Sequence, residues 1–388
     1  MSRLTSLALM GAACLAACSG PAPSQKLQAP VKVALAGTMP GPRISPVPPG
    51  SPPSMTLNTN GLTIVAANAD MPALAQTINA AGLDTAGAAT GRSAPAFTPA
   101  LVKVEVLLDR AGFSPGVIDG RGGDNLDHAL QAYSVARGLA WTGKLERETW
   151  DSLVGSDSGP AVRTYQITAQ DVAGPFIGTP PKDYGEMAKL ASLGYSGPDQ
   201  LLAERFHMDR KLLKALNPDA DFSKAGTTII VTAPRDGPRE LQVARVEVDK
   251  TNEAIRAYDA TNRLVAYYPA SVGSTERPAP SGVWVVKAVA PRPAYYYDPK
   301  RLTFAPLGAT GRLKIAAGPN NPVGSTWIGL SVPTYGIHGS PDPSLVGKRQ
   351  SHGCVRLTNW DAAELGHSVK AGTQVSFVGD EARGGARA

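Results

Sequence analysis

A change of composition near residue 96 does most to limit what this chain can fold into. From Ser19 to about Pro95 it is rich in Pro, Ala, Ser and Gly, with almost no aromatic residue. Such a stretch buries too little apolar surface to offset the entropy of ordering it. Residues 19–96 therefore read as a disordered tether. Beyond it the apolar pattern changes character twice, from helical to mixed to alternating, which predicts several small units rather than one large core.

The first unit spans 97–155. Leu101, Val104, Leu108 and Ala111 fall on one face of a helix. Ser114-Pro115-Gly116 breaks it, and Asp119 is placed to close the turn that follows. Leu126, Leu130 and Tyr133 resume the helical period, and Trp150 and Leu153 mark a third helix. In the second unit, 162–236, a strand from Val162 to Ile167 and another from Thr227 to Val231 enclose helical stretches at about 183–193, 198–206 and 210–216. The third unit, 241–379, opens with Ala244, Val246 and Val248 alternating with charged residues, carries a long strand from Val283 to Val289, and closes with one helix near 359–369 and a strand at 373–378. The predicted fold class is multidomain: a mainly-β domain with one helix, preceded by a small three-helix domain and a small α+β module, with 380–388 a disordered tail. Residues 290–312, with Tyr295-Tyr296-Tyr297 and several prolines, interrupt the strands as a lid, a cleft wall or an ordinary surface excursion.

The first 18 residues read as a targeting segment. Arg3 supplies a positive start and Leu4 to Ala17 an apolar run too short for a conventional membrane helix. Leu15-Ala16-Ala17-Cys18 resembles a lipobox, in which cleavage precedes the Cys and Cys18 carries the acyl chains; a plain secretory signal is the other reading. Cysteine counting then closes, because Cys14 leaves with the signal and Cys18 is lipidated. Of the 3 cysteines only Cys354 remains as a thiol, so no intramolecular disulfide forms and that residue calls for a reactive role. A formal net charge of +6 suits an anionic partner. No basic cluster interleaved with aromatics is present, which sets nucleic acid aside.

Chemistry concentrates between Tyr335 and Arg356, which read YGIHGSPDPSLVGKRQSHGCVR and hold two of the 5 histidines. A nucleophilic thiol needs a base within hydrogen-bond reach and donors for a developing oxyanion. His338 meets the first need if the intervening chain folds back as a loop, and Gly353 lets the backbone beside Cys354 turn. A nearby imidazolium would also lower the thiol pKa. A Cys beside two histidines is more often packing than catalysis, but this one sits in a polar, Gly-rich, basic loop. It also lies shortly before a helix start at Thr358 or Asn359.

HG followed at this interval by SHGCVRL resembles the signature of the L,D-transpeptidases, the YkuD-type enzymes of the bacterial cell wall. YPASVGS at 268–274, PSGVW at 280–284, GPNNPVGSTWI at 318–328 and RLTNWDA at 356–362 agree with it. The resemblance implies that Cys354 is the nucleophile, His338 the general base and the Gly339 carbonyl the group that orients the imidazole. It places His352, Gly353 and Cys354 at the oxyanion site, with His352 either acting directly or only shaping the loop. Arg356, Ser351 and Tyr335 are the implied substrate-binding residues. The implied substrate is a peptidoglycan stem peptide, cut with release of D-alanine and joined to a second stem as a 3→3 cross-link. Transfer to water, transfer to a protein amine, and a non-catalytic wall-binding lipoprotein are the alternatives. The implied setting is the bacterial envelope or periplasm, with the chain lipid-anchored to a membrane. No His, Cys or Asp cluster has ligand spacing, so neither metal nor cofactor is expected. The 97–155 unit is similar to a small peptidoglycan-binding domain. The 162–236 unit is similar to a LysM-type module, with an insertion at 168–196 that leaves glycan binding or simple bracing as its role.

Overall fold

The computed structural model describes residues 71–85, 97–273, 278–300, 308, 311–348 and 353–380. The signal segment with Cys18, and the loop residues Ser351 and His352, lie outside the described residues.

The tether expected over 19–96 is corrected near its end. Ala73–Ala80 form helix α1, which buries Ala75 and Ile78 completely. Alanine favours helix intrinsically, and the apolar partners missing from this stretch come from elsewhere, among them Val102 and Val162. Three helices follow: α2 (Pro99–Ala111), α3 (Asp124–Ala136) and α4 (Arg147–Ser156). Pro99 opens α2 where its missing N–H costs nothing, and Gly112 ends it at φ 86°. The expected stripe of Leu101, Val104 and Leu108 packs with Leu130, Tyr133, Trp150 and Leu153. A second stripe, Val102 and Val106, is buried against the middle unit. Glu105 on the same helix is also buried, and its carboxylate accepts from the Asp119 and Gly120 N–H groups at 3.0 and 2.7 Å. Asp119 closes its turn by accepting from the Arg121 N–H at 2.9 Å.

The middle unit runs β1 (Val162–Gln166), α5 (Ala169–Val172), α6 (Tyr184–Lys189), α7 (Pro198–Arg205), α8 (Arg210–Leu216) and β2 (Thr228–Thr232). β1 and β2 pair antiparallel from Val162↔Thr232 to Gln166↔Thr228. Helix α6 stops short of the expected residue 193. Leu190 turns extended, and the Leu193 N–H donates to the Ala317 carbonyl at 3.0 Å.

The last unit contributes β3 (Arg245–Asp249), β4 (Ala254–Tyr258), β5 (Leu264–Pro269), β6 (Ser271–Val272), β7 (Gly282–Pro291), β8 (Tyr295–Tyr297), β9 (Leu313–Ile315), β10 (Thr326–Leu330), β11 (Gly336–His338), β12 (Val355–Arg356), α9 (Asn359–Ser368) and β13 (Gln374–Val378). Nine of these strands form one sheet in the order β5-β4-β3-β13-β7-β10-β11-β12-β6. Its neighbours are antiparallel except β13–β3 and β11–β12. The described ends of the 290–312 interruption are ordered: Tyr295↔Ile315 to Tyr297↔Leu313 make β8 and β9 a separate hairpin. Leu365 and Ala362 of α9 pack into the sheet core with Val246, Val286 and Ile328. The helical unit covers the β5 edge. The Ser114 N–H donates to the Tyr267 carbonyl and the Tyr267 N–H to the Gly112 carbonyl, each at 2.9 Å.

Candidate active site

β11 and β12 lie side by side in parallel register, with Ile337 opposite Val355 and His338 opposite Arg356. Cys354, one residue before β12, is thereby set beside Gly336. The Leu357 N–H donates to the His338 carbonyl at 2.8 Å and extends the pairing toward α9.

His338 is buried, and its Nδ1 lies 2.7 Å from the Gly339 carbonyl oxygen. A carbonyl can only accept, so Nδ1 carries the hydrogen and Nε2 keeps its lone pair. Trp327, opposite His338 in the β10–β11 register, stacks on the imidazole at 5.5 Å with 17° between planes. Burial, then the positive charge of Arg356, lowers the His338 pKa to about 3 against the pull of the Gly339 bond. The ring is a neutral base over the ordinary pH range.

Cys354 is half-buried and forms no disulfide. Its Sγ lies 3.9 Å from the Thr334 carbonyl oxygen. Burial pushes the thiol pKa up, while a Gly336 backbone hydrogen bond and the Arg356 charge pull it down. The imidazolium-lowered thiol expected from the sequence is thus corrected. The dry, tryptophan-covered position of His338 keeps it uncharged, so the resting pair is thiol and imidazole.

Gly353 adopts φ 112°, and a Cβ there would stand 3.2 Å from the Tyr335 hydroxyl. Both facts favour glycine beside Cys354. The Tyr335 hydroxyl donates to the Pro278 carbonyl at 3.3 Å. Arg356 is half-buried on β12, within electrostatic reach of His338, Cys354, Tyr184 and Tyr295.

Several contributors escaped the sequence reading, though Thr358 did not: one of the two expected helix starts, it caps α9 by accepting from the Asp361 N–H at 3.1 Å. Its neighbour Asn359, buried, accepts from the Ser325 N–H at 2.9 Å and donates to Glu204 of the middle unit at 3.1 Å. A Cβ on Gly339 would approach the Asn359 Oδ1 to 2.2 Å, so Asn359 and Gly339 set the turn that follows the base. Trp327 stood in a quoted motif, but a motif carries no geometry. Glu204 and Asn359 are 155 positions apart, and no local pattern links them.

A cavity of about 460 Å³ opens between the units, lined by Glu204, Phe206, His207, Asn359 and Trp360 among others. Neither Cys354 nor His338 borders it. Burial pushes Glu204 there up to about 7. His207 stacks on Trp360 and pairs with Asp109 at 3.0 Å. Among the described residues no group of three or more His, Cys, Asp or Glu side chains could hold a metal ion, and no helix is long and apolar enough to cross a membrane.

The mainly-β domain agrees with the comparisons. The L,D-transpeptidase catalytic domain, YkuD, matches residues 244–376, and the "Putative peptidoglycan binding domain" matches residues 97–153. "Putative L,D-transpeptidase YkuD" of Bacillus licheniformis is 31% identical over 179 residues, covering 46% of this chain and 91% of that protein. "Probable L,D-transpeptidase YbiS" of Escherichia coli K12 is 28% identical over 201 residues, covering 48% of this chain but 61% of its relative. A solved L,D-transpeptidase structure from Xylanimonas cellulosilytica aligns over 73% of this chain and 95% of that one at 16% identity and a TM-score of 0.32. The chain belongs to the YkuD-type L,D-transpeptidase family.

Proposed function

We propose that this chain is a peptidoglycan L,D-transpeptidase that works through a thioester on Cys354. The observation that carries the reading is the fixed tautomer of His338, whose Nδ1 is bound to the Gly339 carbonyl on the strand beside Cys354. As Sγ attacks the carbonyl carbon of the third stem residue, its proton passes to His338 Nε2. Backbone N–H groups at Gly353 and Cys354, with His352, meet the oxyanion. Collapse breaks the peptide bond, and the imidazolium returns its proton to the departing amine of D-alanine. The side-chain amine of a second stem then attacks the thioester, gives up a proton to His338 and forms the 3→3 bond, and the thiol is restored. Arg356 and Ser351 hold the substrate. The neutral imidazole suits this cycle, since a base that is already protonated cannot accept.

Incubation with a purified tetrapeptide muropeptide and mass analysis of the products tests the reading. Release of D-alanine with a cross-linked dimer is expected, and neither product with Cys354→Ala. Tripeptide without dimer would move the activity to carboxypeptidase, and an unchanged substrate would overturn it.

The 97–155 unit then holds the enzyme to the wall polymer, and the LysM-like 162–236 unit assists it. A lipidated Cys18 anchors the chain in the bacterial envelope, facing the periplasm. Release from membranes in Cys18→Ala is the expected check, and an unlipidated wild-type N-terminus would contradict it.

A further inference from the structure

The middle unit does more than precede the catalytic domain. The chain from Asp183 to Gly194 leaves that unit and lies along the β8–β9 hairpin and the loop after it. Asp183 caps α6 by accepting from the Glu186 N–H at 3.0 Å. The Leu193 N–H donates to the Ala317 carbonyl, and the Asn320 N–H returns a bond to the Leu193 carbonyl, both at 3.0 Å. The Asn320 side-chain amide donates to the Gly194 carbonyl at 2.6 Å, and the Gln200 amide donates to Asn320 Oδ1 at 2.9 Å. Gly318, at φ 151°, is required for this seam, because a Cβ there would lie 2.0 Å from the Leu193 carbonyl oxygen.

This seam fixes the ring of Tyr184. On β8, Tyr295 and Tyr297 share one face while Tyr296 points outward and is 66% exposed. Tyr184 meets both inner rings edge-on, Tyr295 at 6.0 Å and 88° and Tyr297 at 6.2 Å and 90°. That geometry holds aromatic rings in a fixed relation. Tyr297 is buried, whereas Tyr184 and Tyr295 are half-buried. Tyr295 lies within electrostatic reach of Cys354 and Arg356, and Tyr184 within that of Arg356.

We infer that Tyr184, supplied by the middle unit, is a substrate-positioning residue that forms with Tyr295 an aromatic wall holding the donor stem peptide against Arg356 and Cys354. The inference rests on the transpeptidase reading for the identity of the peptide, but not for the existence of the wall. Such a wall would lack one of its two rings without residues 183–194, and the catalytic domain itself hydrogen-bonds the segment that bears Tyr184. An extended peptide with aliphatic side chains and an anionic end fits an apolar ring face beside a guanidinium.

The test compares wild type, Tyr184→Ala and Tyr184→Phe with a tetrapeptide donor, alongside the melting temperature of each. Tyr184→Ala is expected to raise the donor KM by about tenfold or more while kcat changes far less. Tyr184→Phe, which keeps the ring, is expected to stay near wild type. Equilibrium binding of the same tetrapeptide to Cys354→Ala and to the Tyr184→Ala/Cys354→Ala double variant gives a readout independent of turnover. Weaker binding in the double variant supports the wall even if the wild type proves not to cross-link. Equal KM and equal affinity in a folded Tyr184→Ala protein would overturn it, as would a failure of Cys354→Ala to bind the tetrapeptide at all. A loss in Tyr184→Phe as large as in Tyr184→Ala would also overturn it, by showing that the hydroxyl matters and the ring does not.

Discussion

His338 shows how one buried position sets the chemistry. Stacked on Trp327 and bound to the Gly339 carbonyl, it is held neutral down to about pH 3 instead of the ordinary 6.5. The acid limb of kcat/KM, which reports the free enzyme, should therefore lie well below pH 6.5. Trp327→Ala hydrates the ring and should move that limb up toward 6.5. A wild-type limb near 6.5, unmoved in Trp327→Ala, would contradict the assignment. Cys354 without substrate should alkylate slowly at neutral pH and speed up only on the alkaline side, because burial raises its pKa. Persistent alkylation below pH 7 would instead mark an imidazolium–thiolate pair. At this scale the sequence was informative: the pairing of the His338 and Cys354 segments and the glycine at 353 were legible because they lie within one short stretch of chain. The role of Trp327 was not, because stacking depends on the β10–β11 register.

Helix α9 joins the site to the rest of the molecule at its first turn. Thr358 caps it, Asn359 holds the Ser325 backbone, and Asp361 accepts from the Ser114 hydroxyl of the helical unit at 3.0 Å. Burial, reinforced by Asp109 and opposed by Thr358, His207 and Ser114, pushes Asp361 up to about 8 from 3.8. Between those values the folded protein keeps a proton that the unfolded chain has released. Stability from this group is thus full at low pH and is lost as pH rises through about 8. Asp361→Asn should flatten that slope relative to wild type in denaturant titrations from pH 5 to 9, and parallel curves for the two proteins would count against it. Thr358→Ala should cost about 0.5–2 kcal/mol through loss of the cap. The start of this helix was readable from Thr358 and Asp361. The burial of Asp361 was not, since Ser114 lies 247 positions away and only tertiary packing brings it near.

Across the whole molecule, the units share cores instead of hanging as beads. Helix α2 is buried by Leu101 and Leu108 on one side and by Val102 and Val106 on the other, where a single stripe was expected. The same sharing orders Ala73–Ala80, which composition alone places in a tether. Tyr267 of β5 packs among Phe113, Leu130 and Tyr133 of the helical unit. Tyr267→Ala should cost about 3–5 kcal/mol and lower the melting of helical and β signals together. Tyr267→Phe should be neutral or stabilising, since among the described residues its buried hydroxyl has no hydrogen-bond partner. Separate transitions for the two units, with only one shifted in Tyr267→Ala, would show that they fold apart.

A thioester on Cys354 would show in the intact mass of the enzyme during turnover. Acid-quenched protein taken soon after mixing with a tetrapeptide donor should carry one added acyl group, equal to the donor less D-alanine, located on Cys354 by peptide mapping. The adduct should be absent in Cys354→Ala and cleared by a diamino-acid amine. Release of D-alanine with the label on another residue, or undiminished release from Cys354→Ala, would contradict the claim.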